Sequence, residues 1–95
     1  QPIRVLSIHA KPRPPIVDFD GPAGELAGRM SRLNRYPVER LGARPGSFGS
    51  WAGEEKGIPV ITLELPEDDS PDAAWRDNQE AILAFISEEL APPQP

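Results

Sequence analysis

The sequence contains no cysteine, and this absence removes several kinds of chemistry. Without thiols the chain can form no disulfide, no thiolate zinc site and no cysteine nucleophile. Histidine is nearly absent as well, because His9 is the single histidine of the chain. Any function that needs an imidazole must therefore use His9.

An excess of basic residues is also lacking. Ten lysines and arginines stand against 15 aspartates and glutamates, which gives a net charge of −5 and an isoelectric point of about 4.8. This balance offers no positive surface for phosphate backbones or anionic lipids. We therefore expect neither nucleic acid nor a membrane surface as a partner.

Long apolar runs are missing too. No stretch approaches the ~20 apolar residues that a membrane span needs, and the N-terminus lacks the basic start and apolar core of a signal peptide. The sequence predicts a soluble chain whose compartment stays open, with the cytoplasm favoured. Its 95 residues suffice for one domain, and residues 91–95 are expected to be a frayed tail.

Two short apolar runs rich in β-branched residues predict strands at residues 3–8 and 60–65. The segment after the first run, "KPRPPIVDFDGP", is rich in proline. We expect it to be a loop in which Asp18 and Asp20 form turns.

Three helices are predicted between and after these strands. The first covers residues 22–35 and is expected to bury Leu26, Met30 and Leu33. A short helix follows the N-cap Ser47 and ends at Gly57, with Phe48, Trp51 and Ala52 expected on one face. The last helix follows the N-cap Ser70 and begins at Pro71. Its buried stripe is expected to contain Trp75, Ile82, Leu83, Ile86 and Leu90.

This order of elements predicts an α/β fold. Helical connections return the chain in the same direction, so we expect the two strands to be parallel in a layered sheet. Ligands of such sheets bind at the carboxyl ends of the strands. His9 and Glu64 lie at these two ends, so both can face one cleft.

Each of these residues also has a purely structural interpretation. His9 could satisfy its ring nitrogens with backbone groups or water. Thr62 and Glu64 alternate with apolar neighbours, so a half-solvated strand could point both of them at water. The residues alone leave these interpretations open.

Three segments in order, "VLSIHA", "GPAGELAGRMSRLNRYP" and "PGSFGSWAGEEKGIPVITLELP", are followed by an amphipathic helix. Together they resemble the C-terminal part of a zinc carboxypeptidase of the metallocarboxypeptidase superfamily, and are most similar to the bacterial murein peptide amidase branch. The resemblance covers about residues 3 to 88. It implies part of a three-layer α/β/α fold with parallel central strands, and a hydrolase that cleaves peptide or amide bonds.

The resemblance also implies roles for particular residues. His9, in "SIHA", matches a zinc-binding histidine, and Glu64, in "TLELP", matches the catalytic glutamate that moves a proton from the attacking water to the leaving amine. Ser47 and Ser50 match the segment that lines the substrate pocket. The implied substrate is a peptide or a murein peptide.

Only part of the family's site is present in this chain. The family holds its zinc with two histidines and one glutamate, whereas this chain has no second histidine and no H-x-x-E motif. We expect those ligands in a preceding N-terminal part of the catalytic domain, which would be a partner of this chain. Alone, the chain is expected to hold no zinc and to be inactive.

Two further expectations concern an alternative function and self-association. The alternative function is a non-catalytic α/β interaction module of the same ancestry. Strand edges left unpaired beside Val60, Ile61 and Leu63 would favour a homodimer formed through the sheet edge.

Overall fold

The computed structural model describes residues 4–12, 14–41 and 50–87. This part of the chain is a small mixed α/β domain with three β-strands, two α-helices and one π-helical segment. In chain order the elements are β1 (Val5–Lys11), β2 (Ile16–Asp20), α1 (Gly24–Asn34), the π-helical segment (Ser50–Glu55), β3 (Val60–Pro66) and α2 (Pro71–Ser87).

The described strands form one sheet in the order β1-β3-β2. β1 and β3 are parallel, as the sequence predicts, and β2 is antiparallel to β3. The expected exposed edge beside Val60, Ile61 and Leu63 is wrong, because β3 is paired on both sides within the chain. The outer edge of this sheet is formed by β1 instead.

A strand replaces the loop that the sequence predicts after β1. Asp18 and Asp20 belong to β2 and do not form turns. The loop prediction rested on the prolines, but the prolines end just before a run of alternating apolar and polar residues that forms the strand. The outer side of β2 is also hydrogen-bonded: Val17 N donates to Pro37 O at 2.9 Å, and Glu39 N donates to Val17 O at 3.1 Å.

Both α-helices contribute to a core that also includes one face of the sheet. Ile61 and Leu63 of β3 lie on this face. The buried residues of the core are Val17, Ala23, Leu26, Ala27, Met30, Tyr36, Ile61, Leu63, Ala81 and Phe85. The opposite face carries the π-helical segment, whose Ala52 packs with Ile58 and Val60 in a second, smaller cluster.

The helix α1 lies within the predicted range 22–35 and buries Leu26 and Met30 as expected. Leu33 is exposed, contrary to the prediction. The reason is that the next residue, Asn34, turns inward and hydrogen-bonds a side chain of α2.

The helix α2 begins at Pro71, and Ser70 Oγ accepts a hydrogen bond from Ala73 N at 3.1 Å. The predicted N-cap is therefore confirmed. Its predicted buried stripe is wrong at Trp75, Leu83 and Ile86, which are exposed. The buried residues are Asn78, Ala81 and Phe85, and Leu90 lies outside the described residues.

A buried polar network explains this orientation of α2. Asn34 Nδ2 donates to Asn78 Oδ1 at 3.1 Å, and Asn78 Nδ2 donates to Tyr36 Oη at 2.9 Å and to Ala74 O at 3.0 Å. Tyr36 N donates to Asn34 Oδ1 at 2.9 Å. Because an amide without partners would be costly to bury, these bonds hold Asn78 in the helix interface and rotate the apolar residues of the predicted stripe outward.

The turn after β2 touches the π-helical segment through glycine. Gly21 has a φ of +69°, and a Cβ placed there would lie 2.7 Å from Ile58 O. A Cβ on Gly53 would lie 2.7 Å from Asp20 Cβ. Both contacts are too short for a side chain, so only glycine fits at either position.

The π-helical segment stands where the sequence predicts a short helix between Ser47 and Gly57. Gly57 has a φ of +69°, in agreement with its predicted place after the helix. Ala52 is buried, whereas Trp51 is largely exposed, so these two residues do not share a buried face. Ser47, Phe48 and the tail at 91–95 lie outside the described residues.

Candidate functional site

His9 and Glu64 are neighbours in the sheet although they lie far apart in the sequence. They are paired residues of the parallel strands β1 and β3. Paired residues on adjacent strands point to the same face and stand about 5 Å apart. The structure therefore brings together the two residues that the sequence places at strand ends.

Glu64 is buried, with 4% of its surface exposed. It lies on the central strand, between His9 of β1 and Ile16 of β2. The interpretation in which Thr62 and Glu64 both point to water is therefore wrong at Glu64, whereas Thr62 is half-buried. Glu64 has a paired strand on each side, which the alternation of residues within β3 cannot reveal.

One carboxylate oxygen of Glu64 has no hydrogen-bond partner in the part of the chain that the structure describes. Its Oε2 is buried, and within the described residues it has no hydrogen bond. A buried acceptor without a donor costs about 1–3 kcal/mol, and more where the group carries charge. Native proteins rarely retain such an atom without a role for it. His9, by contrast, is exposed and therefore accessible to a ligand.

Two more carboxylates lie on the same face of the sheet. Asp18 is paired with Thr62, and Asp20 with Val60. Both aspartates are buried. The signal that could have identified them is the alternation in "IVDFD", which places the two carboxylates on the side of β2 opposite the apolar core.

Burial raises the pKa of Asp18 above its ordinary value of 3.8. The backbone N–H of Leu41, which donates to Asp18 Oδ1 at 3.0 Å, opposes this shift. The negative charges of Asp20 and Glu64 raise the pKa further. The hydrogen bond of Asp18 therefore joins β2 to the segment at Leu41, although burial and the neighbouring carboxylates disfavour the charged form of Asp18.

We expect Asp18→Asn to raise the melting temperature at neutral pH. Because the pKa of Asp18 is higher in the folded state, folding is favoured at low pH and loses stability as pH rises through the folded pKa. Asparagine has no charge to bury and keeps an oxygen for Leu41 N. The gain should therefore disappear below pH 3.8.

Thermal unfolding followed by circular dichroism at neutral and acidic pH measures this difference. Glu67→Gln is the matched control, because Glu67 is exposed and its neutralisation should leave the melting temperature unchanged. A less stable Asp18→Asn protein at neutral pH would show that the ionised carboxylate is needed for folding.

The predicted substrate-binding serines are not brought to this pair by any contact described. Ser47 lies outside the described residues, and only the backbone of Ser50 is described, at the start of the π-helical segment. This segment packs through Ala52 against Val60, at the amino end of β3. Glu64 lies four residues further along the strand, which is about 13 Å away.

The described residues do not complete a metal centre. Within residues 4–12, 14–41 and 50–87, no group of three or more histidine, aspartate or glutamate side chains could hold a metal ion. In the same part of the chain, no helix has the length and apolar character needed to cross a membrane. His9 and Glu64 are a pair of residues, whereas a catalytic zinc normally takes three protein ligands.

Comparison of the chain with models of known protein families and with curated protein sequences finds no match.

Proposed function

We propose that this chain is the C-terminal part of the catalytic domain of a zinc-dependent metallocarboxypeptidase or amidase. The observation that supports it is the pairing of His9 with Glu64 on one face of two parallel strands. In this proposal the "SIHA" and "TLELP" motifs are the source of a ligand and a general base, and the position of the two residues opposite each other on adjacent strands supports these roles. The sheet described here would then be part of the three-layer carboxypeptidase fold.

The two residues have environments that suit different tasks. His9 is exposed and offers an imidazole nitrogen, a common zinc ligand. Glu64 is held on the central strand, and one of its oxygens is buried and accepts no hydrogen bond from the described residues. A fixed carboxylate of this kind can accept a proton from water and return it to a leaving amine.

A zinc ion fits these residues only in part. When bound, zinc polarises the scissile carbonyl and makes water a stronger acid. His9 would provide one of the three protein ligands that a catalytic zinc site requires. The other two would come from the N-terminal part of the same domain, so the site is assembled from both parts.

The proposed substrate is a peptide or amide bond, with murein peptides as the class that the resemblance indicates. Glu64 lies between β1 and β2 on the sheet face that also contains Asp18. This face is polar at its middle and at the carboxyl ends of β1 and β3.

The chain by itself is expected to bind zinc weakly and to lack peptidase activity. One histidine with a neighbouring carboxylate gives fewer ligands than a catalytic site uses, and weak binding follows. Equilibrium dialysis followed by elemental analysis measures the zinc content of the chain and of its His9→Ala variant. Stoichiometric zinc that survives dialysis and is lost in His9→Ala would contradict this prediction.

A longer chain that includes the preceding part tests the family assignment directly. We expect an H-x-x-E motif upstream and stoichiometric zinc that depends on His9. If the preceding sequence lacks such a motif, the proposal fails and the alternative of a non-catalytic α/β interaction module is favoured.

A further inference from the structure

The outer edge of β1 is the unpaired edge of the sheet formed by the described residues. β1 has β3 on one side, and the sheet order places no described strand on the other. A strand of seven residues in this position presents a row of backbone donors and acceptors. Such a row is satisfied best by another extended strand.

Apolar side chains accompany this edge on the side of the helices. Ile8 is paired with Leu63 of the core, so it points to the helix face, yet half of its surface (50%) is exposed. Ile86 of α2 is 64% exposed. The C-terminal end of α2 lies against the start of β1, because Arg4 Nη2 donates to Ile86 O at 3.3 Å and the Arg4 guanidinium lies 5.5 Å from the centre of the Phe85 ring.

The exposed apolar residues of α2 lie on one flank of the helix. The flank turned towards α1 is occupied, since Asn78 and Ala81 are buried there. Helical spacing places the exposed residues on the other flank. They are Trp75, Leu83 and Ile86.

We propose that a second copy of this chain pairs with β1, antiparallel, about a two-fold axis that passes through Ile8. This residue is the midpoint of Val5–Lys11, so a register centred on it pairs the whole strand. The two sheets would join into one sheet of six strands. A two-fold axis perpendicular to the sheet would also place both α2 flanks on the same side of the joint.

Side chains match across this joint. Residues directly opposite in an antiparallel pair share a face of the sheet. On the helix face, Ile8 would meet Ile8 of the second copy, and Leu6 would meet Ala10. On the polar face, Ser7 would lie opposite His9. No two like charges stand directly opposite each other in this register.

The charges of β1 are compatible with pairing at this edge. The chain has a net charge of −5, so two copies repel each other over most approaches. β1 contains no aspartate or glutamate, and it carries Lys11 and follows Arg4. Pairing at the edge of β1 therefore brings no carboxylates of the two strands against each other. This inference does not depend on the proposed catalytic roles.

The first test is the oligomeric state of the chain and of Ile8→Lys in sedimentation equilibrium. We expect a dimer for the parent chain and at least a tenfold weaker association for Ile8→Lys, because two lysines would stand opposite each other. Leu33→Lys is the matched control, since Leu33 is also an exposed apolar residue but lies on α1. Circular dichroism checks that both variants fold.

The second test uses the absence of cysteine in the parent chain. Directly opposite residues of antiparallel strands have Cα atoms about 4.5–5.5 Å apart, within the ~4.4–6.8 Å that a disulfide spans. Ile8→Cys should therefore form a disulfide-linked dimer under mild oxidation, whereas cysteine at the exposed position Glu67 should not.

A chain that stays monomeric from micromolar to millimolar concentration would overturn the proposal. A longer chain in which another strand covers β1 would overturn it too. A dimer that Ile8→Lys leaves intact, or that Ile8→Cys does not cross-link, would overturn it as well.

Discussion

Under the proposed function, replacement of Glu64 by glutamine in a longer chain that includes the preceding part is expected to lower turnover by about 10²–10⁴-fold, the usual effect of losing a general base. Glutamine has nearly the shape of glutamate but cannot accept the proton of the attacking water. His9 is a separate residue on the neighbouring strand, so the zinc content should stay the same. Binding of substrate should change much less than turnover.

Steady-state kinetics on a peptide or murein-peptide amide, together with elemental analysis for zinc, provides the measurement. Glu67→Gln is the control, because it makes the same chemical change at an exposed position just after β3. Near-normal turnover in Glu64→Gln would show that the assigned role is wrong. Loss of zinc in that variant would instead identify Glu64 as a ligand.

Asn78→Leu is expected to lower the free energy of unfolding by about 2–4 kcal/mol. Leucine is similar in size, but it removes the groups that hydrogen-bond Asn34 and Tyr36. These partners would remain buried without replacements, and each lost bond of this kind costs about 1–3 kcal/mol. In a domain of this size, each kcal/mol lowers the melting temperature by roughly 4–8 °C.

Chemical denaturation measured with the parent chain and the variant gives this difference. Gln79→Leu is the matched control, since it replaces a neighbouring amide of α2 that is only half-buried. A double-mutant cycle with Asn34→Leu tests the network itself. If the two single changes were simply additive, the Asn34–Asn78 hydrogen bond would not be the source of the stability.

The sequence predicts elements whose signals are local. The apolar runs of β1 and β3, and Ser70 with Pro71 before α2, need no knowledge of the rest of the chain. β2 is different, because it becomes a strand by pairing with β3, which begins 40 residues after Asp20. The orientation of α2 could not be predicted either, since it depends on the hydrogen bonds between Asn78 and two residues distant in sequence, Asn34 of α1 and Tyr36 of the loop after it.

The candidate site shows the same division. The rule that parallel strands share their carboxyl ends predicts that His9 and Glu64 lie together, and the structure pairs them. The burial of Glu64 could not be predicted, because it depends on the two strands that flank β3. For Asp18 the alternation in "IVDFD" was a local signal of a strand, but the hydrogen bond that it accepts from Leu41 N arises from a contact distant in sequence.

The position of β3 between β1 and β2 has a consequence for folding kinetics. β1 and β2 are neighbours in sequence but not in the sheet, so neither can form its sheet hydrogen bonds with β3 until Val60–Pro66 has been synthesised. Long loops must close before these sheet hydrogen bonds can form, and the entropy cost of closing them slows folding. Two unpaired strands are therefore exposed to aggregation during synthesis, and the charged and proline residues around them oppose it.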